Sequence, residues 1–451
     1  MLLGLSILGV WLEPLRMLVW ALDGMLVLVC LLERTLTPNP QSLGVSRRVP
    51  ERAGLSREFE RVVRIQAPKG AQGLRLELRE VFCAELQASA RTVDGQKGRP
   101  TIPGDPTHGP DVAILAEGVN SFVRTYVAGV RGELTLGDLR LTLRGPLGLL
   151  ERQTVVRGLQ TIRIEPPLTN LKTILQLAAS NRWQDLGVRR LRKRGGLTEF
   201  EALREYVIGD DPRLIDWKAF ARRGFPVVRD FQEERGQELV ILVDGGRRMG
   251  ATSTSGSQVN WTKMDHALDV GLELAAVALQ AGDRVGFGVF DSRLRSYMQP
   301  LKGAHHLGRI KQAVFDKLPS ALESDLARAL RELSVLHRRR ALLVVISDVA
   351  DPLSISLQRR ALQSGAKRHA IVLATLDDPS LRQIEEGTLE ASAAERAVAM
   401  ALANERSECL SVLRHSGARI LDTLPAESAA PLLTAWLDAR RGRRTSKAGR
   451  V

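Results

Sequence analysis

The sequence predicts a chain of the α/β plus β class in three parts: an N-terminal apolar membrane segment, a β-sandwich-like domain and a C-terminal doubly wound sheet. Three observations carry this reading. Residues 2–32 are strongly apolar, residues 45–166 alternate apolar and polar positions with period two, and from Glu238 onward continuous apolar runs alternate with helical patterns.

At 451 residues the chain suits two or three domains, and 44% hydrophobic residues supply enough apolar mass for real cores. Aromatics are only 4%, which argues against stacking platforms for single-stranded nucleic acid. Much of the formal charge of +14 gathers in residues 189–194 and in the tail from Arg440 to Arg450. Such clustering favours contact with an acidic partner or anionic lipid over a diffuse compositional bias. Cys30, Cys83 and Cys409 are far apart and form no CxxC. Neither a disulfide framework nor a zinc site is indicated, and a reducing compartment is expected.

The first part, residues 1–35, is expected to be a membrane anchor. Its apolar run is broken by Glu13, Pro14 and Arg16 and again by Asp23, so neither half is a clean span of about 20 residues. A tilted or broken span, an interfacial anchor and a buried amphipathic helix compete, with membrane attachment favoured. Arg34, Arg47, Arg48 and Arg52 follow the run. By the positive-inside tendency they place the protein at the cell membrane with its main body facing the cytoplasm.

The second part, residues 45–168, reads as β-sandwich-like. Leu74, Leu76 and Leu78 alternate with Arg75, Glu77 and Arg79, as a half-buried strand requires. Residues 133–136 and 139–143 repeat the pattern across Gly137 and Asp138, a two-residue hairpin signal. No catalytic residue types cluster here, so a spacer or interaction role is expected.

The third part, residues 237–440, alternates strands and helices. Strands are expected at 239–243, 284–290, 341–346, 369–376 and 419–421, with helices at 263–279, 325–337, 353–364, 394–415 and 430–440. Unbroken apolar runs mark strands covered on both faces. Asp244 and Asp348 end two of them, and ligands of such sheets bind beyond the carboxyl ends of strands. The two carboxylates could seat a hard divalent cation or simply cap the helices that follow.

Between these parts, residues 195–223 closely resemble the signature of domain-of-unknown-function family fifty-eight. The whole segment 185–236 is read as the signature region. Arg144, Gly145, Pro146, Leu147, Gly148 and Leu149 resemble that family's Asp-Pro-Leu-Gly-Leu turn, with Gly145 in the Asp place. Val130 to Gly132 and Glu165 to Leu168 fit as well. The resemblance implies a bacterial protein with a membrane segment, a β domain and a von Willebrand factor A-like domain, acting as an adaptor or co-chaperone for a MoxR-type AAA+ ATPase. It implies no known reaction.

Within the signature, Glu199, Arg204, Asp210, Asp211, Arg213, Asp216 and Arg222 mix both charge signs, while Phe200, Tyr206 and Trp217 interleave and Gly209 breaks the run. That pattern suits a segment clamped by charge-assisted hydrogen bonds over an apolar underside, as a strap or a docking face. No Ser, Cys or His stands beside these acids, so no nucleophile–base pair can be built locally and no catalytic residue is expected.

A von Willebrand factor A domain usually holds a metal with Asp-x-Ser-x-Ser, a loop Thr and a later Asp. Here Asp244 is kept, Gly246 and Arg248 replace the two serines, Ser324 could stand for the Thr, and Asp348 matches the later Asp. Gly246 offers no side-chain oxygen and a guanidinium cannot ligate a metal, so the site reads as degenerate and no cofactor is expected; Mg²⁺ is disfavoured, with Asp244 and Asp348 the residues left to hold it. Arg247 or Arg248 is expected to pair with Asp244 or Asp348 instead. Gly286 and Gly288 form no phosphate loop, His305 and His306 read as a solvated loop, and no Walker A sequence occurs.

The leading expectation is therefore a membrane-tethered, non-enzymatic adaptor that binds a partner protein and touches lipid through its N-terminus. A divalent-metal-dependent adhesion-type domain is the first alternative. A basic nucleic-acid binder, suggested by residues 188–194, is the second, although no nucleic acid is expected as partner; a hydrolase ranks last.

Overall fold

Alternate residues of one strand serve two different cores, and this fixes the architecture of the C-terminal half. In a computed structural model of the chain, the described residues are 13–80, 86–89, 111–179, 199–206, 215–232, 237–253, 261–348 and 352–446. Two compact units result, Met1–Glu165 and Pro166–Val451.

The first unit opens with helix α1 (Glu13–Leu36), followed by β1 (Gly44–Arg48), β2 (Arg52–Gly54), β3 (Glu58–Ala67), β4 (Arg75–Glu80), β5 (Leu86–Ser89), β6 (Asp111–Ile114), β7 (Gly118–Ala128), β8 (Gly132–Leu136), β9 (Leu139–Arg144), β10 (Glu151–Val156) and β11 (Gln160–Glu165). They form three sheets, ordered β1-β3-β7-β5, β10-β9-β4-β6 and β2-β11-β8. In β3 and β4 burial alternates residue by residue, so Val63, Ile65, Leu76 and Leu78 enter a shared apolar core with Leu141 and Leu143. Each such side chain contributes roughly 1.5–3 kcal/mol on burial. One charged network is buried beside it. Glu80 bridges Arg47 at 2.6 Å and Arg61 at 2.8 Å, and Asp111 bridges Arg61 at 2.6 Å and Arg124 at 2.5 Å.

Two expectations are corrected in this unit. The N-terminal membrane segment is not supported: among the described residues no helix is long and apolar enough to cross a membrane. Residues 1–12 of the expected anchor lie outside those described. Helix α1 carries Glu13, Arg16, Asp23, Glu33 and Arg34, and Glu33 is fully buried. Its Oε1 accepts hydrogen bonds from the Leu147 amide at 2.9 Å and the Leu149 amide at 3.3 Å. The second correction is the hairpin across Gly137 and Asp138. β8 pairs with β11, whereas β9 pairs with β4 and β10, so the short connection crosses between sheets. It is held from outside: Arg47 donates to the Gly137 carbonyl at 2.7 Å, and Asp138 accepts from the Gly158 amide at 3.2 Å.

The second unit contains α2 (Leu171–Ala179), β12 (Glu199–Glu205), α3 (Trp217–Arg223), β13 (Val227–Gln232), β14 (Glu238–Asp244), β15 (Thr252–Ser253), β16 (Trp261–Thr262), α4 (Lys263–Gln280), β17 (Arg284–Phe290), β18 (Leu294–Leu301), α5 (Ala304–Val314), α6 (Leu326–Leu336), β19 (Leu342–Ser347), α7 (Ile355–Ala366), β20 (Ala370–Leu376), α8 (Pro379–Glu385), α9 (Ala393–Arg414), β21 (Arg419–Thr423) and α10 (Ala429–Ser446). Six strands form one sheet in the order β18-β17-β14-β19-β20-β21. All neighbours are parallel except the edge strand β18, which runs antiparallel to β17. Leu239, Ile241 and Val243 of β14 pack with α4, α5 and α10, while Val240 and Leu242 pack with α6, α7 and α9. Strand order and two-sided burial together put the ends of β14 and β19 side by side at the carboxyl edge of the sheet.

Helix α4 is buried along nearly its whole length despite Lys263, Asp265, Asp269 and Glu273. Two of its acids are used at the start of α2, where orphan amides need acceptors. Glu273 accepts from the Asn170 amide at 2.6 Å and Asp269 from the Thr169 amide at 3.3 Å. Burial, with Asp269 adding to it, pushes Glu273 up to about 7. His305 and His306, expected in a solvated loop, instead open helix α5. His306 is buried, with Nε2 2.8 Å from the Val285 carbonyl.

Candidate functional site

The carboxyl edge of the sheet takes its shape from the turn after β14. The last residue of that strand, Asp244, is buried, and the chain then passes through Gly245 and Gly246 into a 3-10 turn, Arg247–Gly250. The loop before α6 comes back over this turn: the Ser320 amide donates to the Gly245 carbonyl at 2.7 Å and the Arg247 amide to the Leu322 carbonyl at 2.8 Å. These bonds deliver Ser324 to Asp244. Ser324 Oγ donates to Asp244 Oδ1 at 2.5 Å, the Gly246 amide to the same oxygen at 2.8 Å, and Ser347 Oγ to Oδ2 at 2.5 Å. Burial pushes Asp244 up to about 6. The bonds from Ser324, Ser347 and Gly246 oppose that shift, while the charge of Asp348 adds to it.

Asp348 stands one residue beyond β19 and is held by cations. Lys263 Nζ is 2.7 Å from its Oδ2, and Arg406 Nη1 is 3.1 Å from its Oδ1. Lys263 sits at the first position of α4, fixed there by the capping box of Thr262 and Asp265, and reaches Asp378 at 3.7 Å. Arg406, from α9, also meets Asp377 at 3.4 Å and Asp422 at 2.7 Å. The Asp422 carboxylate is steadied by Thr375 Oγ1 at 2.8 Å. All four carboxylate oxygens available to a cation at the ends of β14 and β19 therefore already accept a hydrogen bond or an ion pair.

Gly246 is required by this packing. A Cβ at that position would lie 2.0 Å from Ser324 Oγ and 3.0 Å from the Leu322 carbonyl oxygen. The residue that removes a side-chain ligand thus makes room for the hydroxyl that holds Asp244.

Of the residues singled out in the sequence, Asp244, Gly246, Ser324 and Asp348 come together at this edge. The arginines behave otherwise than expected: Arg247 pairs with Glu323, and the cations on Asp348 are Lys263 and Arg406. Arg248 lies in the 3-10 turn. Sequence reasoning does not single out Lys263, Ser347 or Arg406. Ser347 has a signal, its place directly before Asp348, whereas Arg406 lies 58 residues from its partner in sequence.

The signature segment forms a separate small element. Glu199, Phe200 and Arg204 lie on β12, which pairs antiparallel with β13. Tyr206 closes that pairing through its amide, 3.0 Å from the Pro226 carbonyl. Asp216 caps α3, accepting from the Lys218 and Ala219 amides at 3.0 Å each. Trp217 is largely exposed and edge-on to Phe220 at 6.0 Å, and Arg222 is exposed on the same helix. Gly209, Asp210, Asp211 and Arg213 lie outside the described residues.

Residues 202–412 match the family model described as "Protein of unknown function DUF58". This chain is 26% identical over 235 residues to the uncharacterized protein Rv1480 of Mycobacterium tuberculosis, covering 48% of this chain and 72% of that protein. The uncharacterized protein Mb1516 of Mycobacterium bovis matches with the same identity and coverage. Among solved structures, a cohesin module from a Clostridium perfringens family 33 glycoside hydrolase aligns at 12% identity over 27% of this chain and 96% of its own, with a TM-score of 0.19. An uncharacterized membrane spanning protein from Vibrio fischeri aligns at 12% identity over 45% of this chain and 98% of its own, with a TM-score of 0.17. Superpositions at these scores carry no weight for fold or function.

Proposed function

We propose that this chain is a non-enzymatic adaptor that binds a partner protein, an AAA+ ATPase of the MoxR type, through a von Willebrand factor A-like domain. In this reading the domain works without a divalent cation because the chain's own side chains fill the seat. The observation that carries it is the double engagement of Asp348 by Lys263 at 2.7 Å and Arg406 at 3.1 Å. A hard cation needs several oxygen ligands, and here it would have to displace an ammonium and a guanidinium while gaining nothing from Gly246. The strand order with one antiparallel edge, and the match of residues 202–412 to a family of unknown function, also support the reading. No nucleotide-binding loop stands in the sequence, so ATP hydrolysis belongs to the partner.

Affinity capture of the tagged full chain tests this reading, with and without ATP analogues, in medium containing a chelator. Recovery of an AAA+ ATPase whose hydrolysis rate responds to the purified chain supports it. An ATPase absent under every nucleotide condition, or captured only when Mg²⁺ is supplied to the adaptor itself, sinks it.

A further inference from the structure

One face of the sheet carries a second surface, which does not depend on the function proposed above. Helices α6 and α7 do not close over β19, and between them lies a groove of about 480 Å³. Small residues cause it: Ala327 on α6 and Ala361, Ser364 and Gly365 on α7 line the gap. The seat of α7 is fixed by Gly365, where a Cβ would come 2.8 Å from Ile371 Cδ1. Its floor is apolar, made by the buried Leu330, Leu333 and Leu343. Leu343 is the second residue of β19 and His369 directly precedes β20, whereas Ala327 and Leu357 belong to the first turns of α6 and α7, so the groove runs along the face of the sheet between the two helices, and neither Asp244 nor Asp348 lines it.

The charge around that floor has one sign. Arg331, Arg360 and Arg368 line the groove and are exposed, and no Asp or Glu is among the lining residues. None of the three guanidinium groups forms an ion pair among the described residues. Leu357, on the α7 side, leaves 58% of its surface open. A volume of this size takes a few aliphatic side chains, and the guanidinium forks suit carboxylates flanking them. We propose that the groove between α6 and α7 docks an acidic amphipathic segment of a partner protein, its apolar side chains on Leu330, Leu333 and Leu343 and its carboxylates on Arg331, Arg360 and Arg368. A helix laid in a groove presents side chains at the i, i+3 and i+4 spacing that such an arrangement requires.

The test uses the purified full chain and three labelled synthetic peptides of about 18 residues. One is an amphipathic helix of Leu, Glu and Gln, the second has the same composition permuted to abolish the apolar face, and the third has Lys in place of Glu. Fluorescence anisotropy is expected to show binding of the first, weakening with salt, with the permuted and lysine peptides at least about tenfold weaker. Arg331→Glu with Arg360→Glu, both on exposed positions, should cost the first peptide about tenfold or more and favour the lysine peptide. Leu357→Asp should weaken the first peptide without helping the third. The proposal fails if the ordered peptide does not bind, if the permuted peptide binds as well, or if the arginine reversal leaves affinity unchanged in a variant that keeps its melting transition. It fails equally if vesicles of anionic phospholipid compete with the peptide and are released by the same reversal, because the surface would then belong to lipid.

Discussion

Ser324 Oγ stands 2.5 Å from Asp244 Oδ1, and it can stand there because residue 246 has no side chain. Restoring a serine at 246 would therefore not restore a metal seat. Gly246→Ser places its Cβ against Ser324 and should destabilise the second unit by about 1–3 kcal/mol, the usual cost of overpacking. The double variant with Ser324→Gly removes the collision and should recover most of that loss. Thermal unfolding of the four members of the cycle measures the coupling; additive losses would show that the two positions do not compete for one space.

The titration of Asp244 gives a pH signature. Its carboxyl is pushed up to about 6 from the ordinary 3.8, so the native state binds the proton more tightly than the unfolded chain. The resulting stabilisation is fully present below the unfolded value and is lost as pH rises through about 6. Asp244→Asn cannot ionise, and its side chain can still meet Ser324 and Ser347. The stability of the native chain relative to this variant should fall by about 2–3 kcal/mol from pH 4 to pH 8. Denaturant titrations across that range check it, and a flat difference would mean that the buried carboxyl keeps its ordinary pKa.

The ion pairs at Asp348 predict the response to metal. Lys263 and Asp348 are both almost buried, and removing one partner of such a pair leaves an uncompensated charge. Lys263→Met should cost roughly 3 kcal/mol, less whatever Arg406 compensates, and Asp348→Asn in the same chain should return part of it. Millimolar Mg²⁺ or Mn²⁺ should leave the melting temperature of the native chain unchanged, since a ligand that binds only the folded state would raise it. A rise abolished by Asp348→Asn would overturn the cation-free reading.

How far the sequence reaches depends on whether a residue's neighbours are local. Residues 239–243 and 342–346 read as strands because two-sided burial demands an unbroken apolar run, and Asp244 and Asp348 can be placed from where those runs stop. The short Gly137–Asp138 link resembles a hairpin, because a turn signal does not say which sheet the next strand joins. Lys263 and Arg406 are illegible. Each sits at a helical position where a solvated lysine or arginine is ordinary, and only the approach of α4 and α9 to the same strand end brings them to Asp348. The missing side chain at 246 is visible, but its reason is the hydroxyl of a residue in a distant loop. The apolar start of the chain misleads for a related cause: Glu33, directly after the hydrophobic run, is a buried acceptor for amides more than a hundred positions away.

That acceptor suggests an exchange of carboxylates within the first unit. Gly145 occupies the place where the resembling turn carries an Asp, and a Cβ there would lie 2.4 Å from Glu33 Oε1. Glu33 fills the space and accepts from the Leu147 and Leu149 amides. Glu33→Ala should cost about 1–3 kcal/mol, the loss of two amide hydrogen bonds to a charged acceptor. Gly145→Asp alone should also destabilise, because two carboxylates would crowd one seat. In the double variant the introduced aspartate has the room and the amides to itself, so stability should return toward that of the native chain. Hydrogen exchange at the Leu147 and Leu149 amides provides the local readout: fast in the Glu33→Ala chain and slow again in the double variant. If those amides stay fast in the double variant, Glu33 does not replace a turn carboxylate and Gly145 has another cause.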